Sequence, residues 1–269
     1  MAEQRNIHTR GIILKKHAFG ENDFSVTIYS PELGKIQATA KGARKIKSSL
    51  AGHIETLNLC EFQLYKSPAR YTMVQCHVLE NFKSIRADFD KAMIAGLMVE
   101  IFHKSTLTSE HSQELFYLLQ QSLLKLSSSE QHFLTVESFK LNLLQHIGAL
   151  PDLESCASCN QRLCNETKVW LEPNGHLQCH NCLYPEIAVQ QFFTPDKNFT
   201  NPDYDPKNKL IEFNIIKLIH YLIQPLHEQT KKLTVTPQQK EQLQYITRFF
   251  LQHFLDREII SEKMLMQLM

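Results

Sequence analysis

Four cysteines set in two matched pairs constrain this chain more tightly than any other feature. Cys156 and Cys159 form the knuckle CASC, Cys179 and Cys182 form CHNC, and nineteen residues separate the pairs. That is the two-plus-two spacing of a structural zinc site. Zinc takes soft thiolates in a tetrahedron, and each CxxC turn offers two sulfurs from one tight loop. The interval is polar and turn-prone, with Asn160, Asn165, Pro173, Asn174 and Gly175. Its own apolar content, Val169, Trp170, Leu171 and Leu177, is too thin for an unaided core. A bound ion supplies about 10 kcal/mol of apparent folding free energy in small zinc peptides. The expectation is therefore a small ribbon stabilised by Zn2+ on Cys156, Cys159, Cys179 and Cys182. Four thiolates close the coordination shell, whereas a catalytic zinc keeps an open position. Two disulfides would need an oxidising compartment, and a redox CxxC is expected singly, near a βαβ pattern. Cys164, His176 and His180 are near enough in sequence to replace a ligand, but the regular spacing favours the quartet.

At 269 residues the chain has room for one or two domains and a small module. The opening MAEQRNIHTRG has no apolar segment of signal-peptide length, and no run approaches a membrane span. The expectation is a cytoplasmic protein in a reducing compartment, with no membrane partner. Cys60 and Cys76 lie in alternating apolar contexts and are expected as buried thiols. The formal charge of +1 hides an asymmetry. Residues 1–80 hold eleven Lys and Arg against seven Asp and Glu, whereas residues 183–269 hold ten of each. The positive charge is at the front.

Residues 1–82 read as short strands. Ile7 to His17 and Phe24 to Tyr29 are two, and Pro31-Glu32-Leu33-Gly34 turns into a third from Lys35 to Ala40. Ile54 to Tyr65 alternates through Ile54, Leu57, Leu59, Phe62 and Leu64, and Tyr71 to Leu79 follows a turn around Ser67-Pro68. Five such strands suit a small closed barrel, of which the OB-fold is the commonest nucleic-acid binder. Periodicity alone admits any small antiparallel barrel or sandwich.

Beyond residue 82 the period becomes helical. Asp88 can cap a helix through Ile94, Leu97, Met98, Ile101 and Phe102, and Leu115, Leu118, Leu119 and Leu123 mark a second. Val136, Phe139, Leu143 and Ile147 mark a third, ended by Gly148 with Pro151 close behind. Phe213, Ile216, Ile219, Leu222 and Ile223 lead up to Pro225. Thr236-Pro237-Gln238-Gln239 then has the form of a capping box opening a helix with Leu243, Ile246, Phe250 and Phe254. The expected fold class is α+β, with an OB-fold barrel over 1–82 and a helical domain in two parts, 83–150 and 186–269. A zinc ribbon over 151–185 would be inserted between them. Phe192 to Lys209, rich in Asn, Asp and Pro, reads as a long irregular connection.

The segment Ala40 to Leu50, AKGARKIKSSL, gathers Lys41, Arg44, Lys45 and Lys47 with no acid among them. Gly42, Ser48 and Ser49 suggest flexibility. Such a loop suits a phosphate backbone, through charge-assisted contacts and counterion release, with Arg able to fork onto a phosphate where Lys acts as a point charge. An ordinary solvated charge run has the same composition. Lys35, in the preceding strand, joins these four as the candidate nucleic-acid contacts.

GARKIKSSL after a strand, preceded by Gly11-Ile12-Ile13-Leu14 and by Phe19-Gly20-Glu21-Asn22-Asp23, resembles the RecO family of bacterial recombination mediators. The resemblance continues through Gly148-Ala149-Leu150-Pro151-Asp152-Leu153 leading to CASC, and through Asn174-Gly175 before CHNC. It spans nearly the whole chain. Relatives often carry a Gln-Pro-Phe-like step shortly after the basic loop, where this chain has Glu55-Thr56-Leu57.

The resemblance implies a non-enzymatic DNA repair factor of the bacterial nucleoid. Such a factor binds single- and double-stranded DNA and anneals complementary strands. With RecR it helps to load RecA onto DNA covered by single-strand-binding protein, whose acidic C-terminal tail the helical domain would receive. The residues agree in part, since neither GxxxxGK[ST] nor GxGxxG is present. Two other classes share the same residues: a zinc-ribbon RNA-binding adaptor of transcription or RNA metabolism, and a metal-dependent enzyme acting on nucleic acid.

Overall fold

Five strands form at the front of the chain: β1 (Asn6–Phe19), β2 (Asp23–Ser30), β3 (Gly34–Ala40), β4 (Leu59–Lys66) and β5 (Tyr71–Glu80), with β2 buried on both faces from Ser25 to Ser30. The computed structural model describes residues 5–68, 70–108, 111–164, 169–183, 209–224, 233–255 and Ile259. The strands close into a barrel in the order β1-β2-β3-β5-β4. Closure runs through a parallel pair, β3 with β5, at Ala38↔Tyr71, Thr39↔Thr72 and Ala40↔Met73. All other neighbours are antiparallel. This is the OB-like barrel expected from the sequence.

The long β1 serves two neighbours, pairing with β4 from Asn6 to Ile12 and with β2 from Ile12 to Phe19. Gly11 sits where it passes from one to the other. A Cβ there would stand 2.6 Å from Ile28 Cγ2 and 2.8 Å from the Tyr29 carbonyl, so only glycine allows the approach. Ile13, Val26, Ile28, Ile36, Phe62, Leu64 and Met73 fill the interior together with the buried free thiols Cys60 and Cys76.

One expected strand is shorter than the apolar alternation indicates. β4 begins only at Leu59, because Leu57 adopts φ 77 and its N–H donates to the Ile13 carbonyl at 2.9 Å. Ile54 and Leu57 are buried all the same. They contribute to the core from a loop, which periodicity cannot distinguish from a strand.

Four helices follow: α1 (Lys83–Ala87), α2 (Phe89–Ser105), α3 (Gln113–Ser128) and α4 (His132–His146). The Asp88 carboxylate accepts from the Lys91 N–H, the cap expected for α2, and Ser112 does the same for α3 through Leu115. Gly148 takes φ 69 just beyond α4. Every residue of α4 from Leu134 to Leu144 is buried, including Glu137 and Lys140, which pair at 2.9 Å. The expected apolar stripe was thus one face of a helix enclosed on all sides.

Two compact units result, one of residues 1–146 with the end of the chain from 258, the other Ile147–Arg257. In the first, Tyr29 meets Phe102 edge-on at 4.8 Å. Arg86 donates to the carbonyls of Asn81 (2.9 Å) and Thr56 (2.6 Å) and to Asn58 Oδ1 (2.9 Å), tying α1 to the end of the loop between β3 and β4.

The second unit holds β6 (Val169–Leu171), β7 (Leu177–Cys179) and β8 (Lys209–Ile211) in the order β7-β6-β8, with α5 (His180–Leu183), α6 (Phe213–Ile223) and α7 (Pro237–Leu255). The ribbon therefore takes its third strand from beyond the expected 151–185 segment. Of the expected irregular connection Phe192–Lys209, residues 192–208 lie outside the described residues, and Lys209 opens β8. At α7 the Thr236 hydroxyl accepts from the Gln239 N–H at 3.2 Å, and Gln239 Oε1 accepts from the Thr236 N–H at 2.9 Å. That reciprocity is the expected capping box. Among the described residues, no helix is long and apolar enough to cross a membrane.

Candidate nucleic-acid interface and metal centre

The metal centre grows out of two short turns. After Cys156 the chain doubles back, with the Asn160 N–H on the Cys156 carbonyl (2.9 Å) and Asn160 at φ 57. The Ala157 N–H donates to the Leu177 carbonyl at 2.9 Å, which fastens this knuckle to β7. Cys179 ends β7 and Cys182 lies in α5, one helical turn on.

The four sulfurs of Cys156, Cys159, Cys179 and Cys182 lie within 4.8 Å of one another, with Cys159 and Cys179 at 3.8 Å. Four sulfurs each about 2.3 Å from a central zinc would stand about 3.8 Å apart, so the donor set fits the ion. Cys164 and His176 are exposed and His180 stacks on Trp170 at 5.5 Å. None of the three belongs to the cluster.

The electrostatics of the quartet also favour a cation. Burial opposes ionisation of Cys156, but the N–H groups of Cys179, Cys159 and Ser158 outweigh it and bring the thiol down to about 6. Burial and then the neighbouring sulfurs push Cys182 up. Four thiols at this separation cannot all release their protons without a positive charge between them.

The basic loop, between β3 and β4, is better ordered than its glycine and serines suggest. The Gly42 N–H donates to Asp23 Oδ1 (2.7 Å), and the Arg44 N–H to the Asn22 carbonyl (2.9 Å). Successive turns are closed by Lys45 N–H to Gly42 O (3.0 Å) and Ser48 N–H to Lys45 O (2.9 Å). Ala43, Leu50 and Ile54 are buried beneath. The side chains of Lys41, Arg44, Lys45 and Lys47 all remain exposed.

Lys35 is separated from them. Its Nζ donates to the carbonyls of His103 (2.7 Å) and Thr106, and burial lowers its pKa. It binds the C-terminal end of α2, where a cation offsets the helix dipole. Its charge is directed into the fold.

Beside the loop lie two adjoining hollows of about 470 and 510 Å³ that share Ser67 and Arg70 in their walls. Phe19, Tyr71 and Lys66 line the first, and Lys41, Tyr65 and Val74 the second. Loop and groove thus meet at Lys41. Aromatic planes beside cations can stack bases and hold their phosphates. From sequence alone Ser67-Pro68 reads only as a turn. The flanking pattern Tyr65-Lys66 and Arg70-Tyr71 was the available signal.

Comparison with known proteins agrees with this architecture. Residues 1–82 match the family model Recombination protein O N terminal, and residues 86–190 match Recombination protein O C terminal. The chain is similar to the DNA repair protein RecO of Alkaliphilus metalliredigens, 29% identical over 254 residues, 93% of this chain and 94% of that one. The DNA repair protein RecO of Dehalococcoides mccartyi (strain 195) is 31% identical over 190 residues, 70% of this chain and 75% of that protein. That of Acetivibrio thermocellus is 34% identical over 178 residues, 66% and 70% of the two chains. The OB-like barrel, the helices behind it, the four-cysteine centre and the span of these matches together place the chain in the RecO family of DNA repair and recombination proteins.

Proposed function

We propose that this protein is a non-enzymatic mediator that binds single- and double-stranded DNA on its barrel and anneals complementary strands. The observation that carries the reading is the exposed basic turn running into an aromatic- and arginine-lined groove. Lys41, Arg44, Lys45 and Lys47 hold the backbone, and the groove takes unstacked bases. Annealing follows physically. Two strands repel each other until their phosphates are neutralised in one complex, after which base pairing drives the reaction without a nucleotide cofactor.

On this reading the protein works in the cytoplasm with RecR and helps RecA onto DNA covered by single-strand-binding protein. The acidic C-terminal tail of that protein docks on the helices. The zinc on Cys156, Cys159, Cys179 and Cys182 is structural and carries no chemistry.

The test is a salt titration of DNA binding beside a fluorescence annealing assay. Four phosphate contacts give a slope of log affinity against log salt of about −2.8 on single strands. Arg44→Ala with Lys45→Ala should flatten it by roughly 1 to 2 and slow annealing in parallel. A folded double variant with unchanged slope and annealing would return the loop to a solvated charge run. Calorimetry with a synthetic tail peptide tests the docking: no saturable binding removes that partner from the reading.

A further inference from the structure

Ile46 stands fully in solvent, at 104 % relative exposure. It occupies the first central position of the turn closed by Ser48 N–H to Lys45 O. Gly, Pro, Asn, Asp and Ser dominate such positions, each for its own conformational reason, and a β-branched apolar residue has none of them. The turn itself is firmly held from below, by Arg44 N–H on Asn22 O, by Arg44 Nη1 on Gly20 O (3.2 Å) and by buried Ala43. The side chain is therefore presented by a rigid base, with exposed Arg44, Lys45 and Lys47 immediately around it.

We propose that Ile46 is a wedge that enters a base step of duplex DNA while Arg44, Lys45 and Lys47 hold the phosphates on either side. The inference rests on the reading of this loop as a DNA contact and adds to it a ligand form and a role. Isolated apolar side chains of this kind, Ile among them, part base steps in the minor groove and kink the duplex. A turn tip puts one side chain ahead of the backbone, and a wedge inserted at a base step kinks the duplex toward the major groove as it enters. Two alternatives fit less well. Single-stranded bases stack on aromatic planes, and those lie in the groove at Phe19, Tyr65 and Tyr71 rather than at the tip. The apolar centre of a protein interface is depleted of charge, whereas Ile46 is ringed by cations.

The experiment uses the full-length protein and a short duplex with 2-aminopurine beside a flexible TA step, end-labelled for energy transfer. Saturating protein should raise the 2-aminopurine fluorescence and bend the duplex by roughly 20–90°. Ile46→Ser should lose both signals while keeping the salt slope, and Ile46→Leu should retain them. Arg44→Ala with Lys45→Ala should instead weaken binding itself. Equal fluorescence and bending for wild type and Ile46→Ser overturns the wedge and leaves the DNA-binding reading standing. Absence of duplex binding by the wild type overturns both. Loss of RecR binding in Ile46→Ser, with fluorescence and bending unchanged, reassigns the residue to a protein contact and also overturns the proposal.

Discussion

At the C-terminal end of α2, Lys35 Nζ holds two backbone carbonyls, those of His103 and Thr106. Removing it leaves both acceptors without that donor, so Lys35→Met should lower stability by roughly 1–3 kcal/mol. The DNA-binding salt slope should stay unchanged, and urea unfolding beside a salt titration checks both outcomes. A flattened slope in a fully stable variant would restore Lys35 to the DNA contacts. His103 lies at the same place, its Nδ1 buried and without a hydrogen-bond partner among the described residues. Burial first, then the charges of Lys35, Lys15 and Lys104, hold its pKa below 6.5. The unfolded chain therefore takes up this proton at higher pH than the folded chain does. Stability should fall as pH drops from about 6.5 towards the folded-state pKa, and level off below it. Urea midpoints measured from about pH 7.5 to 5 should fall more steeply for wild type than for His103→Gln. Parallel profiles would refute the assignment.

Among the elements, the cysteine knuckles and the helix caps were the most legible, because their chemistry is local. A CxxC turn needs only four consecutive residues to place two sulfurs, and the Thr236–Gln239 box closes on itself. If the quartet binds zinc, one ion per chain should be found by elemental analysis, and Cys179→Ala should lose it. The apparent binding free energy of about 10 kcal/mol rivals the whole stability of an ordinary domain, about 5–15 kcal/mol. The ribbon should then melt at lower temperature or fail to fold. Full zinc content with an unaltered melting profile in the variant would remove Cys179 from the ligand set. Other elements were read less well. β4 lost its first residues because Leu57 is held at φ 77 by a bond to Ile13. The third strand of the ribbon, β8, is only three residues long and stands thirty residues beyond β7. Too few side chains there carry an alternating signal.

For the molecule as a whole, if the quartet holds a metal, the division into two units predicts a selective response to its removal. Hydrogen exchange after chelation should quicken in β6, β7 and the knuckles, while the amides of β1–β5 keep their protection. Uniform loss of protection would mean that the barrel depends on the metal as well. Some of this was present in the sequence itself. Alternation gave strands, helical spacing gave helices, and paired cysteines gave a four-sulfur cluster able to hold a metal, since each is a relation between residues close along the chain. The basic turn was legible for the same reason. The groove was not. Phe19, Lys41, Tyr65 and Arg70 come from β1, the β3–β4 loop, β4 and the β4–β5 turn, and they line one surface only when the barrel shuts through β3 and β5. Closure likewise decided which cations face solvent. Lys35 and Lys47 are the same residue type twelve positions apart, yet one caps a helix and the other is exposed to solvent. Composition records charge, but the direction in which a charge points is set by the long-range pairing that folds the chain.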